Sequence, residues 1–413
     1  MKVEAFQGTL TARDDVSLRN RSALPAENQH RSASPQCPRV LMVTPRYFPY
    51  IGGVESHVYQ VARRLARQGV SITVLTTDPS GQLPTTEQRE GIRIRRAHAW
   101  PAHRDYYLAP DIYSVIREGG WDVVHVQSFH TLVSPLAMLA AWRAGIPYVV
   151  TFHSGGHSSR VRNAVRPMQR RLLRPLLVRA GRLVAVAQFE VELFAQELQI
   201  PREQFALIPN GSDLPRGARP TAAPPDGALI ASVGRLERYK GHQRIITALP
   251  YILAQRADVR LWVAGVGPYE THLRRLAEKA KVADRVEFRA IPAADREAMA
   301  AELSRAALVV LLSEFETHPI AALEALALGC PVLVTDTSGL SELARRGLAR
   351  AIPLKSTDQQ VASAVLEQLE RPLVPSQIRL PTWDECAADL LALYRTVIQE
   401  TRSSLRFESS FTL

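Results

Sequence analysis

The sequence predicts an α/β protein with two doubly wound parallel sheets, and three observations support this prediction. Short apolar, β-prone runs alternate with amphipathic stretches of helical spacing along most of the 413 residues. A segment rich in Pro, Gly and Ala at 214–227 interrupts the alternation, and the same pattern restarts beyond it. The two halves share this architecture without a tandem repeat of roughly 20–50 residues. We therefore expect two similar domains, at 38–213 and 228–380, joined by a linker at 214–227.

The first predicted domain follows a polar segment. Residues 1–37 mix polar, charged and proline residues without periodicity, which is typical of a disordered leader. The run RVLMVTP is predicted as a strand, and the amphipathic stretch VESHVYQVARRLARQG as a helix that stops at Gly69. Further strands are predicted at VSITVLTT, WDVVHVQ, IPYVVTFH and RLVAVA. Helices are predicted at 136–144, within the basic stretch 160–182, and after RLVAVA as far as about Leu198.

The second predicted domain repeats the pattern. Strands are predicted at ALIASVGR, VRLWVAG, RVEFRAI, LVVLLS and PVLVTD, which are all short, β-prone apolar runs. Helices are predicted near 243–254 and 269–280. The amphipathic stretch TWDECAADLLALYRTVIQE predicts a closing helix at 381–400, followed by a polar tail at 401–413.

Composition and charge limit the classes of function. The formal charge of +11 and the pI near 9.9 favour anionic partners such as a nucleotide, an acidic lipid surface or nucleic acid. The stretch 160–182 holds eight arginines and no acid, so it is either a solvated helix face or a surface for anionic lipid. Because this stretch lacks interleaved aromatic residues, we expect no nucleic-acid partner.

Two further features favour the cytoplasm. The longest apolar runs, such as ALVVLLS, are far shorter than the roughly 20 residues of a membrane-spanning helix, and the N-terminus is polar. The three cysteines, Cys37, Cys330 and Cys386, have no metal-ligand spacing, which suits a reducing compartment. We expect a cytoplasmic protein, with 160–182 as the segment that would bring it to the cytoplasmic face of a membrane.

The stretch ETHPIAALEALALG, at 316–329, places two acids in an apolar surrounding with seven residues between them. Proline is favoured in the first turn of a helix and disfavoured deeper inside, so Pro319 predicts a helix start near 318–320. Glu316 then lies in the preceding loop and Glu324 one turn inside the helix. Carboxylates accept hydrogen bonds from vicinal hydroxyl groups, so both acids are candidates for binding polyols such as a ribose.

Loops after other predicted strands carry cations and glycines. In SVGRLERYKG, Arg235 and Lys240 lie between a strand and a helix, where two cations and free N–H groups can surround a diphosphate. In VAGVGP, Gly265 and Gly267 let the backbone approach a ligand closely, although the loop lacks the third glycine of a dinucleotide fingerprint. No Asp-x-Asp stands at a strand end, so we expect no metal and assign the diphosphate to the cations.

The first domain offers fewer candidates. Gly52 and Gly53 open the helix after the first strand, and His153 ends the strand YVVTFH. Paired α/β domains usually hold ligand in the cleft between them, at the carboxyl ends of the strands. We therefore expect these residues to line that cleft opposite the second domain.

Taken in order, the motifs GGVE, TFH, IPNG, VGRLERYKG, VAGVGP and E-x7-E followed by ALALGCPV resemble the retaining nucleotide-sugar glycosyltransferases of family 4, also called group 1 glycosyltransferases. The resemblance extends over about residues 39–400. It implies the GT-B fold, in which two Rossmann-like domains face a cleft. The first would bind the acceptor and the second the nucleotide sugar, and a crossover helix from Trp383 would pack on the first domain.

The resemblance also implies roles for the motif residues. Arg235 and Lys240 would bind the donor diphosphate, Glu324 the ribose, and Glu316 the hydroxyl groups of the transferred sugar, near which His153 would lie. The catalytic set is therefore His153, Glu316, Arg235 and Lys240. The other donor-binding positions are glycines of both domains and the helix start that faces the sugar phosphate: Gly52, Gly53, Gly265, Gly267, His318, Pro319 and Ile320.

The chain departs from the family pattern at three places. Thr317, His318 and Pro319 replace the usual Gly-Phe-Gly after the first glutamate, so two glycines are lost and Pro319 removes an N–H donor. Ala187 replaces the usual serine at the start of the helix after AVA, which weakens capping. Ala290 replaces a glycine after VEF-x and weakens the contact with the base.

The expected function is transfer of a hexosyl unit, with retained anomeric configuration and without a metal, from a nucleotide sugar to a saccharide or lipid-linked acceptor. The donor candidates are UDP-glucose, UDP-N-acetylglucosamine and GDP-mannose, and no cofactor is expected. Two alternatives stay open from the sequence: a sugar-nucleotide epimerase of the same fold, and a module that binds nucleotide sugar without chemistry.

Overall fold

The computed structural model describes residues 37–50, 52–101, 108–129, 131–153, 160–212, 227–292, 295–375, 378 and 380–410. Within 160–167 and 405–410 the description is of the backbone alone. The predicted leader and linker lie outside the described residues, apart from Cys37 and Gly227.

Within the described residues, the N-terminal half forms an eight-stranded sheet. Its strands are β1 (Arg39–Val43), β2 (Ser71–Asp78), β3 (Thr86–Arg89), β4 (Ile92–His98), β5 (Val123–Gln127), β6 (Tyr148–Thr151), β7 (Arg182–Ala185) and β8 (Phe205–Leu207). Their order is β3-β4-β2-β1-β5-β6-β7-β8, and all pairs are parallel except β3 with β4. The helices of this half are α1 (Gly53–Arg67), α2 (Asp111–Arg117), α3 (Val133–Arg143), α4 (Arg160–Leu177) and α5 (Gln188–Leu198).

The second half forms a six-stranded sheet among the described residues, and every pairing in it is parallel. Its strands are β9 (Leu229–Val233), β10 (Arg260–Ala264), β11 (Val286–Phe288), β12 (Leu308–Leu311), β13 (Val332–Thr335) and β14 (Arg350–Ile352). They lie in the order β11-β10-β9-β12-β13-β14. The helices are α6 (His242–Leu253), α7 (Glu270–Lys279), α8 (Arg296–Arg305), α9 (Ile320–Ala327), α10 (Ser338–Arg345) and α11 (Asp358–Glu370).

Both faces of each sheet are covered, as the predicted doubly wound architecture requires. Strand β1 shows this most directly, because successive side chains point to opposite faces. Leu41 and Val43 belong to one apolar cluster, with α2 and α3, whereas Val40 and Met42 belong to another, with α1. All ten strands predicted from the sequence are confirmed.

The sequence analysis missed four strands and four helices. They are β3, β4, β8 and β14, with α2, α8, α10 and α11. Strand β4 alternates buried Ile92 and Ile94 with charged residues on its other face, and β8 is three residues long. Such elements carry too little apolar sequence to stand out from loops.

The last helix, α12 (Trp383–Ser410), returns to the N-terminal half. Trp383 and Tyr394 pack in the same apolar cluster as α1, and Asp384 forms an ion pair with Arg64 of α1 at 2.7 Å. The crossover helix that the resemblance implied is therefore present. It continues through Ser410, so residues 401–410, predicted as part of a polar tail, extend the helix instead.

Gly211 of the IPNG motif has a structural role at this crossover. A Cβ atom built on Gly211 would lie 2.1 Å from the backbone nitrogen of Trp383. Only glycine permits the chain to pass so close to the start of α12. Within the part of the chain that the structure describes, no helix is both long and apolar enough to cross a membrane.

Candidate active site

The predicted site residues of the second half lie in loops after its central strands. Arg235 and Lys240 follow β9, Gly265 and Gly267 follow β10, and Glu316 follows β12. Because these strands are parallel neighbours, their carboxyl ends lie along one edge of the sheet. The structure therefore brings the residues predicted for the donor to one edge.

Lys240 and Glu316 contact each other directly. The Nζ atom of Lys240 lies 2.6 Å from Oε1 of Glu316, and the two side chains are only 16% and 13% exposed. The hydroxyl of Ser313 donates to the same carboxylate oxygen at 2.8 Å. The sequence analysis gave these residues separate ligands, a phosphate and a sugar, and did not foresee that they form one ion pair.

Arg235 is the most exposed charge of this loop. Its side chain is 62% exposed, and its guanidinium donates to the hydroxyl of Tyr239 at 2.6 Å and to Glu237 at 3.1 Å. The ring of Tyr239 lies 6.0 Å from the Arg235 guanidinium carbon and 5.4 Å from Nζ of Lys240. Both predicted diphosphate ligands are therefore arranged around one buried aromatic side chain.

Gly265 and Gly267 bring two loops of the protein together. A Cβ atom on Gly265 would lie 1.9 Å from the carbonyl oxygen of Gly234, and one on Gly267 would lie 2.4 Å from that of Leu236. The close backbone approach expected at these glycines is thus an approach to the β9 loop. Their contact with a ligand stays a prediction.

Helix α9 begins at Ile320 with Pro319 as its N-cap residue. The predicted helix start is confirmed, as are the loop position of Glu316 and the position of Glu324 one turn inside the helix. The Glu316 N–H donates to the hydroxyl of Ser338 at 2.8 Å. The Glu316 carbonyl accepts from the N–H of Gly339 at 2.8 Å, so the loop is fixed on both sides to the start of α10.

Glu324 is buried and forms an ion pair with Arg296, the first residue of α8. The sequence analysis did not identify Arg296. No sequence pattern marks it, because its importance depends on how α8 packs against α9.

On the first half, Gly53 is the exposed first residue of α1. A Cβ atom there would meet no protein atom within 4 Å, whereas one on Gly52 would lie 2.4 Å from the carboxylate of Glu55. Burial raises the pKa of Glu55, and the nearby charges of Arg46 and Arg235 oppose this effect. Arg235 belongs to the second half, so its charge acts on a carboxylate of the first half.

His153 lies at the carboxyl end of β6 in a left-handed conformation, with φ of 44°. Its Nε2 atom donates to Oε1 of Gln127 at 2.7 Å, and its ring meets that of His57 edge-on at a centroid distance of 4.6 Å. His57 donates from Nδ1 to Oδ1 of Asn210 at 2.7 Å. The sequence analysis named His153 and missed its two neighbours, Gln127 and His57, and it quoted Asn210 only as part of IPNG.

His318 of the second half interacts electrostatically with His57. Burial lowers the pKa of His318 from 6.5 to about 4, with smaller contributions from the charges of His57 and Arg346. Burial likewise lowers the pKa of His57 to about 4. Within the described residues, Nδ1 of His318 and Nε2 of His57 are buried without a hydrogen-bond partner. Both imidazoles are therefore neutral at physiological pH.

The two halves also make a direct contact at the start of α5. The N-cap residue Ala187 has no side-chain acceptor, as its replacement of serine suggested, but the Phe189 N–H donates to the carboxylate of Glu342 on α10. The Phe189 ring meets Phe315, next to Glu316, at 5.7 Å. The missing cap of one domain is thus supplied by the other.

The arginines of the basic stretch have mixed roles. Arg170 pairs with Glu197 at 2.9 Å, Arg174 donates to the carbonyl of Leu198 at 2.6 Å, and Arg182 pairs with Glu400 at 2.8 Å. Next to them on α4, Met168 and Leu172 are exposed. Arg170 and Arg174 join α4 to the end of α5, and Arg182 joins β7 to α12, which leaves fewer charges for an anionic surface than the sequence count indicated.

The comparison with known proteins agrees with this geometry. A model described as Glycosyltransferase Family 4 matches residues 51–216, and one described as Glycosyl transferases group 1 matches 217–379. A glycogen synthase of Mycobacterium tuberculosis is 30% identical over 368 residues, which cover 81% of this chain and 86% of the relative. The chain belongs to glycosyltransferase family 4. It is a glycosyltransferase, and its two sheets adopt the GT-B fold.

Other members of this family carry different names. A D-inositol 3-phosphate glycosyltransferase of Acidothermus cellulolyticus is 28% identical over 400 residues, covering 86% of this chain and 87% of the relative. Among solved structures, sucrose-phosphate synthase from Thermosynechococcus elongatus superimposes with a TM-score of 0.65 at 20% identity, covering 90% of this chain and 99% of that one. Family membership therefore leaves the acceptor open.

Proposed function

We propose that the protein transfers a hexosyl unit from a nucleotide diphosphate sugar to a saccharide or lipid-linked acceptor, with retained anomeric configuration and without a metal. The observation that carries this proposal is the set of charges at one edge of the second sheet. Arg235 and the Lys240–Glu316 pair lie in adjacent loops, and Glu324 lies on the helix that follows.

The two cations are assigned to the leaving diphosphate. Breaking the bond between the sugar and the phosphate concentrates negative charge on the leaving oxygen, and prepositioned cations stabilise that charge. The proposal gives this work to Arg235 and Lys240, the two cations in the loop after β9.

The acids are assigned to hydroxyl groups. Glu324 would accept from the ribose and Glu316 from the transferred sugar. Because Lys240 pairs with Glu316, the proposal places the lysine between the sugar-binding carboxylate and the phosphate. One cation can therefore serve both ends of the scissile bond.

Retention is assigned to attack from the face that the diphosphate leaves. The acceptor oxygen forms a bond to the anomeric carbon as the carbon–oxygen bond to the phosphate breaks, and the acceptor proton passes to a phosphate oxygen. Glu55 and His153 lie in the N-terminal half, which the proposal assigns to the acceptor, and they would orient the sugar and the attacking hydroxyl group.

We place the protein in the cytoplasm, with contact to anionic lipid at the exposed part of α4 for a lipid-linked acceptor. Sedimentation with vesicles of phosphatidylglycerol and phosphatidylcholine tests the contact. Salt-sensitive binding that falls in Leu172→Ser and Arg171→Ser variants supports it, whereas equal binding to neutral vesicles contradicts it.

The reaction is tested by thermal unfolding with UDP-glucose, UDP-N-acetylglucosamine and GDP-mannose, each added alone. A donor at a hundred times its dissociation constant stabilises the protein by about 2.7 kcal/mol. The donor that stabilises the protein is then incubated without acceptor and with candidate acceptors. A new glycoside with the anomeric configuration of the donor supports the proposal. Formation of a new sugar nucleotide without acceptor would establish epimerisation, and binding without any product would establish a binding module.

A further inference from the structure

The carboxylate of Glu324 is almost entirely inside the protein. Its side chain is 8% exposed, and a guanidinium nitrogen of Arg296 donates to its Oε1 atom. Burying a charged carboxylate is costly unless a cation pairs with it, and the pair then depends on good geometry. Arg296 supplies this cation from a different helix.

The support of Arg296 is rigid. It is the first residue of α8, whose N-cap residue Asp295 accepts a hydrogen bond from the N–H of Ala298 at 2.9 Å. Leu303 of α8 packs in the same apolar cluster as Leu326 of α9. The packing of the two helices thus keeps the Arg296 guanidinium beside the Glu324 carboxylate.

We propose that Arg296 is a positioning residue for the nucleotide, because it orients the Glu324 carboxylate toward the ribose hydroxyl groups. The inference rests on the proposed function, in which Glu324 binds the ribose. An arginine suits this role better than a lysine, because its planar guanidinium fixes the plane of a carboxylate as well as its charge. Arg296 itself is 35% exposed and acts through Glu324.

The experiment compares nucleotides with and without ribose hydroxyl groups. Dissociation constants of UDP, GDP and their 2′,3′-dideoxy forms are measured by calorimetry for the wild type and for Arg296→Ala. Inorganic pyrophosphate is the probe for the proposed diphosphate site at Arg235 and Lys240. Arg289→Ala is the matched control, because Arg289 is 39% exposed and forms ion pairs with Glu287 and Glu302.

The expected result is a loss of discrimination. The wild type should bind the ribonucleotide about tenfold or more tightly than the dideoxy form, since a hydrogen bond to a charged group is involved. In Arg296→Ala the ratio should fall below about threefold, with pyrophosphate affinity unchanged. Arg289→Ala should keep the wild-type ratio.

Other outcomes separate the inference from the function on which it rests. If the wild type binds nucleotides but does not distinguish the two forms, ribose recognition by Glu324 is wrong and the inference falls with it. If the wild type discriminates and Arg296→Ala discriminates equally, the inference alone is wrong. A larger ratio in Arg296→Ala would show that Arg296 competes with the ribose, which also overturns it.

A variant that keeps the charge guards against misfolding. Arg296→Lys retains a cation near Glu324 but loses the planar pair of donors. The account predicts a stable protein whose discrimination is intermediate between that of the wild type and that of Arg296→Ala. Full wild-type discrimination in Arg296→Lys would contradict the orienting role.

Discussion

The cap that Glu342 supplies to α5 leads to a prediction about local stability. Removing its carboxylate by Glu342→Ala leaves the Phe189 N–H without its acceptor, because Ala187 provides none. Loss of a helix cap costs about 1 kcal/mol, and loss of a hydrogen bond to a charged group costs about 1.5–3 kcal/mol. If the helix start loses about 1.5 kcal/mol of stability, amide exchange in the first turn of α5 should become about tenfold faster.

Hydrogen exchange measured by mass spectrometry on peptides covering 186–192 tests this prediction. The start of α11, which is capped by Thr357 and Gln360 within the same helix, serves as the internal control and should exchange as in the wild type. Adding Ala187→Ser to Glu342→Ala should slow exchange again, because the backbone at 187 is already extended and its new hydroxyl group can accept from the helix. Unchanged exchange at 186–192 in Glu342→Ala would refute the reasoning.

Three further predictions concern activity, acid stability and packing. Arg235→Ala should lower kcat/KM by on the order of a hundredfold, because one lost contact to the leaving group costs about 3 kcal/mol. Steady-state kinetics at saturating acceptor measure this, and wild-type turnover in the variant would show that the assignment is wrong. The pKa of His57 and that of His318 are each lowered from 6.5 to about 4. The neutral imidazoles therefore stabilise the fold above pH 6.5, and this stability is lost as the pH falls toward 4. Urea unfolding midpoints that do not fall across this range would contradict the prediction. Gly211→Ala should destabilise the protein by about 1–3 kcal/mol and Gly53→Ala by much less, because a Cβ atom meets backbone atoms at 211 and no atom at 53. Equal urea midpoints for the two variants would disprove this.

The sequence predicted what depends on local patterns. The alternation of apolar runs with amphipathic stretches located the two sheets, and Pro319 located the start of α9 to within a residue. Ala187 was recognised as a poor cap from its residue type alone. Such features are legible because each depends on neighbouring residues.

Features that depend on distant residues were not predicted. Lys240 and Glu316 are 76 residues apart, and His57 and Asn210 are 153 residues apart, so no spacing shows that they are partners. The glycines of VAGVGP were recognised, but the backbone that they approach was not. In each case the missing information was the packing of loops at the strand ends.

The central claim is that Arg235 and Lys240 hold the nucleotide diphosphate without a metal. Calorimetric titration of UDP and GDP in the presence of EDTA, with the wild type and Lys240→Ala, tests it most directly. The account predicts that one nucleotide binds the wild type in EDTA and that Lys240→Ala binds it at least about tenfold more weakly. Binding that requires a divalent cation, or equal affinity in the two proteins, would contradict the account.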